Sequence, residues 1–418
     1  MRRQYITSID LGTSAIRCVI AEYDDDEKIR ILGVGSVPSE GLRRGAVVDG
    51  SAVSQSIRSA LDKAILMSGV PVKSAIVGIG GCDISVQEAK GVVAVGRANN
   101  EVTEDDLNRA ITAAQSVVVP NNKDIILVIP KNYRLDDQDN ITDPIGLKGV
   151  RLEVNAQIIE ASSTNIKNIT SAMERAGVAV EKFVPEPLAT AEAVLSKRQK
   201  ELGVAVISLG ASTTSLTVFE EGELLHTAVL PIGADFITHD LAIGMRTSID
   251  VAEKVKISYG SAVYNTVRRN DEIDLSVFDS HEESSVLHDH VIEIIIARLD
   301  EIFKLVRDEL KKIGKDGLLP AGVVLTGGGS NLVHITDYVK EYLQLPVQIG
   351  KVSGIFGIMD HVDDPSFSTS IGLIMWHINE DDKMVGGDFA LSSMFGGVSE
   401  KVSGLASNVK DIFGKFLP

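Results

Sequence analysis

The sequence predicts an α/β fold built from two similar halves, with a small α+β insert in the first half. Two segments roughly 200 residues apart, 6–20 and 204–219, share an apolar strand, a Gly/Ser/Thr turn and a second strand with alternating apolar residues. Each pattern predicts a β-hairpin, and mixed strand and helix signals follow both hairpins. The chain has 418 residues, which is more than the ~250–300 residues that a single core usually supports. One hairpin per half therefore indicates a duplicated fold.

Helices are predicted where apolar residues recur at helical spacing. The first spans 51–67 and is stopped by Gly69, Val70 and Pro71; the second opens at Ser162 and is ended by Gly177. The third is long and amphipathic, over 286–313. Between 84 and 159 the sequence pattern changes. It predicts strands with alternating apolar residues at 125–129 and 150–159, and a short helix at 104–116. This segment is interpreted as an insert within the first half.

Composition excludes several classes of function. The formal net charge is -17, whereas duplex-binding proteins usually carry a basic excess, so nucleic acid is not an expected partner. Cys18 and Cys82 have no neighbouring Cys or His at metal-ligand spacing and are expected to be reduced, buried thiols in a cytoplasm. Neither a signal-peptide h-region nor an apolar run of about 18 residues occurs, so any membrane contact is expected at the surface.

The turns of the two hairpins are candidate phosphate loops. Gly12 and Gly210 lie where each hairpin turns. Glycine lets a phosphate approach the backbone, and turn amides with Thr or Ser hydroxyls donate to anionic oxygens. One such turn alone is equally consistent with an ordinary β-turn. Two facing turns can clamp a polyphosphate from both sides, and the pair therefore predicts a nucleotide site.

A third glycine loop supports this hypothesis. The apolar strand 323–326 runs into Gly327, Gly328 and Gly329 and then into a predicted helix. A helix N-terminus after such a turn favours anions, and consecutive glycines leave flat backbone surface for a base or sugar. The alternative is a plain strand-to-helix loop.

The order of these three loops resembles the actin and sugar-kinase superfamily, and the resemblance covers nearly the whole chain. Within it, the sequence resembles the FtsA family of bacterial division proteins. Four stretches carry this second resemblance, of which the second is the most specific: PKNYRLD at 130–136, DPIGLKGVRLE at 143–153, PEPLA at 185–189 and AEKVK at 252–256.

The resemblance implies an actin-like, ribonuclease H-like fold of two lobes. The expected divisions are lobe I at 1–83 with 162–197 and 359–379, the inserted subdomain at 84–161, lobe II at 198–358, a flexible linker at 380–403 and an amphipathic helix at 404–418. The insert would replace the usual second subdomain of actin.

The resemblance also implies a site for ATP or ADP with Mg²⁺. Asp10 and Glu186 would hold the catalytic positions, Asp10 binding the metal through water and Glu186 lying near the water that faces the terminal phosphate. The implied nucleotide contacts are Gly12, Thr13, Ser14, Gly210, Ser212, Thr213, Thr214, Glu253, Lys256, Gly327, Gly328 and Gly329. Two of these roles agree with general chemistry. Mg²⁺ prefers carboxylate and water ligands, which suits Asp10. Glu253 and Lys256 are three residues apart and therefore share a helix face.

One position departs from the family pattern. The second phosphate loop of the family usually starts with an aspartate, whereas this chain has Ser208. A neutral hydroxyl is a poorer partner for Mg²⁺, and phosphoryl transfer depends on positioning and charge stabilisation. We therefore expect ATP binding with slow or absent hydrolysis.

The C-terminal stretch predicts an amphipathic helix after a Gly-, Ser- and Asp-rich linker. Docking on its own domain is the alternative, but a docked helix rarely needs about 20 loose residues before it. A helix lying in the membrane interface is the better interpretation. The residues expected to contact lipid are Leu405, Val409, Ile412, Phe413, Phe416 and Leu417.

The resemblance to the FtsA family implies a protein that polymerises, anchors the FtsZ division ring to the inner face of the cytoplasmic membrane and recruits later division proteins. The implied partners are the FtsZ C-terminal peptide, further copies of the chain, other division proteins through the insert, and lipid. A pilus-assembly relative and a sugar or acetate kinase remain alternatives, while an MreB-like filament is disfavoured because that family lacks the insert. The cationic face of Lys304, Arg307 and Lys311 could receive the acidic FtsZ peptide or be a solvated mixed-charge surface.

Three histidines, His281, His288 and His290, lie near Asp289. A metal site there is possible, but a solvated acidic loop before the long helix is the preferred interpretation.

Overall fold

The computed structural model describes residues 4–24, 28–96, 99–116, 120–264, 271–282 and 284–385. The predicted lipid-facing residues from Leu405 to Leu417, and the linker beyond 385, lie outside the described residues. The chain divides into two compact units, one formed by Met1–Ser85 with Ala161–Trp376, the other built on Val86–Glu160. None of the described helices is long and apolar enough to cross a membrane.

The strands and helices alternate along the chain as follows. The strands are β1 Gln4–Leu11, β2 Ala15–Tyr23, β3 Ile29–Pro38, β4 Leu42–Arg43, β5 Ala46–Val47, β6 Ser74–Ile79, β7 Ser85–Ala94, β8 Lys123–Leu135, β9 Gln138–Ile141, β10 Arg151–Ser162, β11 Ala179–Pro185, β12 Val204–Leu209, β13 Thr214–Glu220, β14 Glu223–Leu230, β15 Glu272–Asp274, β16 Ser285–Leu287, β17 Val323–Thr326, β18 Val347–Ile349 and β19 Ile355–Gly357. The helices are α1 Gly50–Ser68, α2 Glu104–Gln115, α3 Ser163–Ala176, α4 Glu186–Val194, α5 Lys197–Leu202, α6 Asp235–Met245, α7 Ile249–Tyr259, α8 His288–Lys312, α9 Ile335–Leu343 and α10 Ser368–Val385.

The first unit contains two large sheets with the same core topology. Lobe I has the strand order β11-β6-β1-β2-β3-β19, and lobe II has the order β14-β13-β12-β17-β18. In each, an antiparallel three-stranded meander is followed by two strands parallel to its first strand. The sequence revealed one repeated hairpin, and the sheets extend the duplication to five strands per lobe.

Helices of lobe I pack closely on its sheet. Val53, Ile57 and Leu61 of α1 are buried in one cluster with strands β1 and β2. Glycine at 35 permits this approach, because a Cβ there would lie 1.8 Å from the carbonyl oxygen of Ala60. The predicted ends of this helix are confirmed: Asp49 caps the N-terminus and Gly69, at φ 68°, caps the C-terminus.

Lobe II has its own core around the long helix α8. Ile295, Leu299 and Phe303 of this helix are fully buried, and they share a cluster with Ile207 of β12 and Leu325 of β17. The predicted helix over 286–313 is confirmed within two residues at each end. Burial of one apolar stripe explains its amphipathic sequence.

Helix α4 connects the lobes by packing beside the second sheet. Ala191 and Val194 of α4 are buried with Val204 and Val206 of β12 and Val324 of β17. Strand β19, at 355–357, pairs parallel with β3 of lobe I. The chain therefore rejoins the first sheet a few residues before the expected return at 359.

The second unit is a four-stranded sheet with α2 packed on it. The strand order is β7-β10-β8-β9, and its core includes Leu107 and Ile111 of α2 with Leu152 and Ile158 of β10. Thr103 and Asp106 form a capping box at the start of α2. The fold matches the α+β character predicted for the insert.

Candidate functional site

A cavity of about 420 Å³ lies in the first unit where the central strands of both sheets end. The residues after β1, β6, β12 and β17 all contribute to its wall. Ligands of open α/β sheets bind outside the carboxyl ends of the strands, so the topology itself places a candidate site here. Glycines of all three predicted loops line it: Gly12, Gly210, Gly327, Gly328 and Gly329.

The first hairpin supplies a buried carboxylate to this cavity. Asp10, at the end of β1, is 5% exposed and faces Arg17 across the strand pair. Burial raises the pKa of Asp10 to about 6, while Arg17 and a hydrogen bond from Ser370 act in the lowering direction. The Asp10 Oδ2 lies 3.9 Å from Arg17 Nη1 and 3.5 Å from Ser370 Oγ. Thr13 and Ser14 line the cavity beside it.

A second carboxylate, Glu186, enters the cavity from the start of α4. A Cβ on Gly80 would lie 1.8 Å from its Oε2, so glycine at 80 makes room for the carboxyl group. Burial and then the nearby Asp10 raise the pKa of Glu186 well above its ordinary value. The structure thus brings together the two predicted catalytic carboxylates, which lie 176 positions apart in the sequence, and the charge of Asp10 disfavours ionisation of Glu186.

The second hairpin faces the first. Gly210 and Thr213 line the cavity, and the Ser212 Oγ donates to Thr13 Oγ1 at 2.8 Å. This hydrogen bond joins the two turns across the lobes. Thr214 points elsewhere: it is fully buried and its hydroxyl donates to the Ile232 carbonyl at 2.8 Å.

Ser208 and Ser215 lie opposite each other in the β12–β13 pair, and both line the cavity. The departure from the family pattern noted at Ser208 therefore falls inside the site. Hydroxyl groups leave this wall uncharged.

Helix α7 places an ion pair on the lobe II side. Lys256 Nζ lies 2.6 Å from Glu253 Oε2 and donates to Thr238 Oγ1 at 2.7 Å. The expectation that these two residues share a helix face is confirmed. Asp235, at the start of α6, also lines the cavity; burial raises its pKa, and Lys256 acts in the lowering direction.

The third loop is tighter than the sequence suggested. Gly327 has φ 81°, and a Cβ there would lie 2.7 Å from the Leu209 carbonyl oxygen. The glycines continue into a single 3₁₀ turn, Gly328–Asn331, and the α-helix begins only at Ile335. The predicted helix N-terminus directly after the glycines is therefore wrong, because three glycines favour a close backbone turn over helix initiation. Flat backbone surface beside the apolar Leu332 and Val333 remains.

Sequence reasoning missed several lining residues. Arg17 belongs to the first hairpin pattern but was assigned no role, and Gly80 lies outside the patterns described from the sequence. Their signals existed: a cation lies seven residues after a strand-end aspartate, and glycines at 78, 80 and 81 follow an apolar stretch. Asp235 and Thr190, which also line the cavity, have no local signal that distinguishes them from surface or core residues.

His288 and His290 make separate contacts in the described part of the chain. Among the residues that the structure describes, no group of three metal-ligating side chains occurs. His288 Nε2 lies 2.6 Å from the carbonyl oxygen of Tyr259, and His290 Nδ1 lies 3.3 Å from Glu293 Oε2. Both contacts are local.

Comparison with known families gives two matches. A family model described as "Cell division protein FtsA" matches residues 205–372, and one described as "SHS2 domain inserted in FTSA" matches residues 81–160. The second match falls on the segment predicted as an insert.

Similar curated proteins carry the same name. The chain is 39% identical to the cell division protein FtsA of Bacillus subtilis (strain 168) over 369 residues, covering 88% of this chain and 82% of that protein. It is 34% identical to the cell division protein FtsA of Pseudomonas aeruginosa over 375 residues, covering 90% and 89%.

Similar solved structures share the fold at low identity. A PilM-PilN type IV pilus biogenesis complex aligns with TM-score 0.64 at 17% identity, covering 88% of this chain and 97% of that one. MreB5 of Spiroplasma citri bound to ADP aligns with TM-score 0.54 at 14% identity, covering 92% and 98%. These likenesses confirm the predicted actin-like fold.

Proposed function

The chain belongs to the FtsA family of cell division proteins, and from that premise we propose that it binds ATP between its lobes, polymerises, and anchors the FtsZ ring to the inner face of the cell membrane. The observation that carries the proposal is the cavity lined by glycine turns from both lobes. The family matches do not favour a pilus-assembly protein or a small-molecule kinase.

The cavity suits an adenine nucleotide. Backbone amides of the glycine turns can donate to phosphate oxygens, and the apolar side formed by Ile257, Leu332 and Val333 offers a surface for the base. An actin-like neighbour of this chain was solved with ADP. Lys256 and Glu253 lie on the same helix as Ile257 and would contact the nucleoside.

The residues present also fit a magnesium ion. Burial favours the protonated form of both Asp10 and Glu186, and the charge of Asp10 adds to this at Glu186; a divalent cation would favour the charged carboxylates instead. Mg²⁺ prefers oxygen ligands and keeps several waters, which suits Asp10 as a partner through water. The ion would supply charge stabilisation for the phosphates.

We expect phosphate release to be slow. Ser208 and Ser215 place neutral hydroxyls where a further carboxylate could help hold the metal and orient water. Ser208→Asp should raise Mg²⁺-dependent phosphate release measured by a coupled phosphate assay, and Asp10→Ala should abolish what release there is. Brisk release by the unaltered protein would contradict this expectation.

We propose that the amphipathic stretch at 404–418 attaches the protein to the membrane. One short interfacial helix binds marginally, whereas several on one polymer bind far better through effective concentration. Polymerisation with ATP would therefore switch attachment on.

The experiment is liposome co-sedimentation with ATP, combined with electron microscopy on a lipid monolayer. Deleting 405–418 should abolish lipid binding, and Phe413→Asp should weaken it at least tenfold. Helical spacing places Asn408 toward the side away from the expected lipid-facing residues, so Asn408→Asp introduces the same charge there and is the matched control. Undiminished binding to liposomes after the deletion would contradict the proposed membrane attachment.

Lobe II is the proposed receptor of the acidic FtsZ peptide, and the insert would contact neighbouring copies and other division proteins. Lys304 and Lys311 are exposed on α8, whereas Arg307 is engaged, since its guanidinium lies 5.0 Å from the Tyr342 ring centroid and pairs with Asp316 at 3.3 Å. Lys304→Glu should weaken binding of an FtsZ tail peptide measured by fluorescence anisotropy, and exposed Lys63→Glu in lobe I should not.

A further inference from the structure

A short hairpin of lobe I carries an arginine in an unfavourable backbone conformation. Strands β4 and β5 pair Arg43 with Ala46, so Arg44 and Gly45 are the two turn residues. Both have positive φ, 50° and 81°, as a type I′ turn requires. Glycine and asparagine adopt this conformation readily, whereas an arginine is strained there. Strain of this kind at the edge of a site is typical of functional positions.

The hairpin is fixed to lobe I at the edge of the cavity. Asn165 of α3, 5% exposed, accepts from the Val47 amide at 3.2 Å and donates to the Gly45 carbonyl at 2.9 Å. A Cβ on Gly45 would lie 2.6 Å from the Cα of Gly81, so the turn packs directly against the glycines that follow β6. Gly45 and Gly81 both line the cavity. The turn therefore holds Arg44 in a defined place beside the site.

The side chain of Arg44 reaches the opposite lobe. Its guanidinium carbon lies 5.8 Å from the ring centroid of Phe236, in the first turn of α6. The ring is also held within lobe II, because the guanidinium carbon of Arg298 on α8 lies 5.7 Å from the same centroid. Asp240 fixes this second guanidinium through two hydrogen bonds of 2.6 and 2.9 Å. The contact of Arg44 with the ring therefore depends on the spacing between the lobes.

This contact lies where the lobes would part. Gly45 and Asp235, the chain neighbours of its two residues, line the cavity from opposite lobes. Opening the lobes at this edge breaks a cation–π contact, which at an exposed site changes a rate about two- to fivefold. We propose that Arg44 and Phe236 form a latch between the lobes that slows release of the bound nucleotide. The inference rests on the proposed ATP site and adds control of the nucleotide's residence time.

The test is the dissociation rate of N-methylanthraniloyl-ATP from the full-length protein with Mg²⁺, chased by excess ATP in a stopped-flow instrument at concentrations that keep the protein monomeric. Arg44→Asn removes the guanidinium and introduces a residue type that suits the turn. It should speed release about two- to fivefold. Because the substitution eases the turn, faster release with an unchanged or raised melting temperature cannot come from a damaged fold.

Arg43→Asn is the matched control. It removes the same charge from the exposed neighbouring residue on β4 and should leave the release rate unchanged. Arg44→Lys keeps a cation for the ring and should release the nucleotide more slowly than Arg44→Asn does. Equal release by Arg44→Asn and Arg44→Lys would count against the proposal, because the charge facing the ring would then be irrelevant.

A double-variant comparison identifies the ring as the partner. Phe236→Leu keeps an apolar side chain, removes the ring face and should also speed release. In the Arg44→Asn background it should speed release less than in the wild type, because the effects of residues in contact are not additive. Equal effects in the two backgrounds would overturn the proposal, since the two side chains would then act independently.

Failure of the latch and failure of the proposed function give different results. Wild-type protein that binds no adenine nucleotide would overturn the proposed function and the latch with it. Wild-type binding with an unchanged release rate in Arg44→Asn would overturn the latch alone.

Discussion

At the scale of single residues, the cavity concentrates groups whose ordinary ionisation is opposed by burial. Asp10 and Glu186 are the pair in which this is strongest: burial raises the pKa of both, and the charge of Asp10 raises the pKa of Glu186 further. Strongly perturbed carboxyl groups in a cleft are typical of functional sites. Keeping these carboxyl groups charged in the folded state lowers the free energy of unfolding, and this effect can be measured.

The Asp10 carboxyl predicts a pH-dependent stability in nucleotide-free protein. Because folding raises its pKa to about 6, the folded state holds the proton more tightly than the unfolded state does. Its stabilising contribution is fully present below about pH 4 and is lost as pH rises through 6, amounting to about 3 kcal/mol. Asp10→Asn should therefore raise the free energy of unfolding above pH 6, and much less at pH 4.5, as measured by urea denaturation.

The control for this prediction is Asp62→Asn on the exposed face of α1. It should leave the free energy of unfolding within ~0.5 kcal/mol of wild type at both pH values. An advantage of Asp10→Asn that stays equal at pH 4.5 and pH 7.5 would contradict the assignment of the raised pKa.

At the scale of elements, α4 and α10 are packed with almost no room between their backbones. A Cβ on Gly372 of α10 would lie 1.8 Å from the Ala189 carbonyl oxygen of α4. Side chains add to this contact, since Thr190 Oγ1 and Thr369 Oγ1 are 2.9 Å apart. Both threonines line the cavity, so the spacing of these helices sets the position of its wall.

Gly372→Ala should therefore destabilise the protein although alanine is the better helix former. Overpacking against backbone forces the helices apart and costs about 1–3 kcal/mol, more than the ~1 kcal/mol that alanine gains in a helix. The measurement is the free energy of unfolding from urea denaturation. Gly50→Ala, at the start of α1, is the matched control, because its Cβ would meet only Arg175 Nη1 at 3.5 Å. A Gly372→Ala variant as stable as Gly50→Ala would show that the helices can separate freely.

At the scale of the whole molecule, turns from both lobes already meet. The 2.8 Å hydrogen bond between Ser212 and Thr13 joins them, and the proposed nucleotide would bind where they face each other. Ligand binding to both lobes should reduce local opening in each of them together.

Hydrogen exchange with and without ATP tests this joint response. Protection should rise in the three loops at 12–14, 210–213 and 327–329, and stay unchanged in the remote loops at 69–72 and 314–318. Rates are read by mass spectrometry of peptic fragments under conditions that keep the protein monomeric. Protection confined to one lobe would mean that the nucleotide does not bridge the turns.

Much of this architecture follows from local sequence. The hairpins, the helices α1, α3 and α8 and the α+β insert were predicted because apolar periodicity and capping residues act over short distances. The candidate loops were found in the same way, since glycines and hydroxyl residues mark turns wherever the chain reverses. The order of the loops indicated the superfamily and the four FtsA-like stretches indicated the family, which the family matches confirm.

Other features depend on contacts that no local pattern records. Thr214 was expected to contact phosphate as part of the second phosphate loop. In the structure it begins β13, and the pairing of β13 with β14 places its hydroxyl where it donates to the Ile232 carbonyl. The glycine loop at 327–329 enters a 3₁₀ turn because it passes close to Leu209 of the neighbouring strand.

By itself, the sequence determined which turns could receive phosphate and that the fold is duplicated, because hairpins, caps and glycine turns are specified by neighbouring residues. Only the tertiary structure decided that Asp10, Arg17 and Glu186 share one cavity wall, since strand pairing and the packing of α4 bring together residues up to 176 positions apart. The physical reason is that burial and charge act through space, and the distance along the chain does not determine which groups become neighbours.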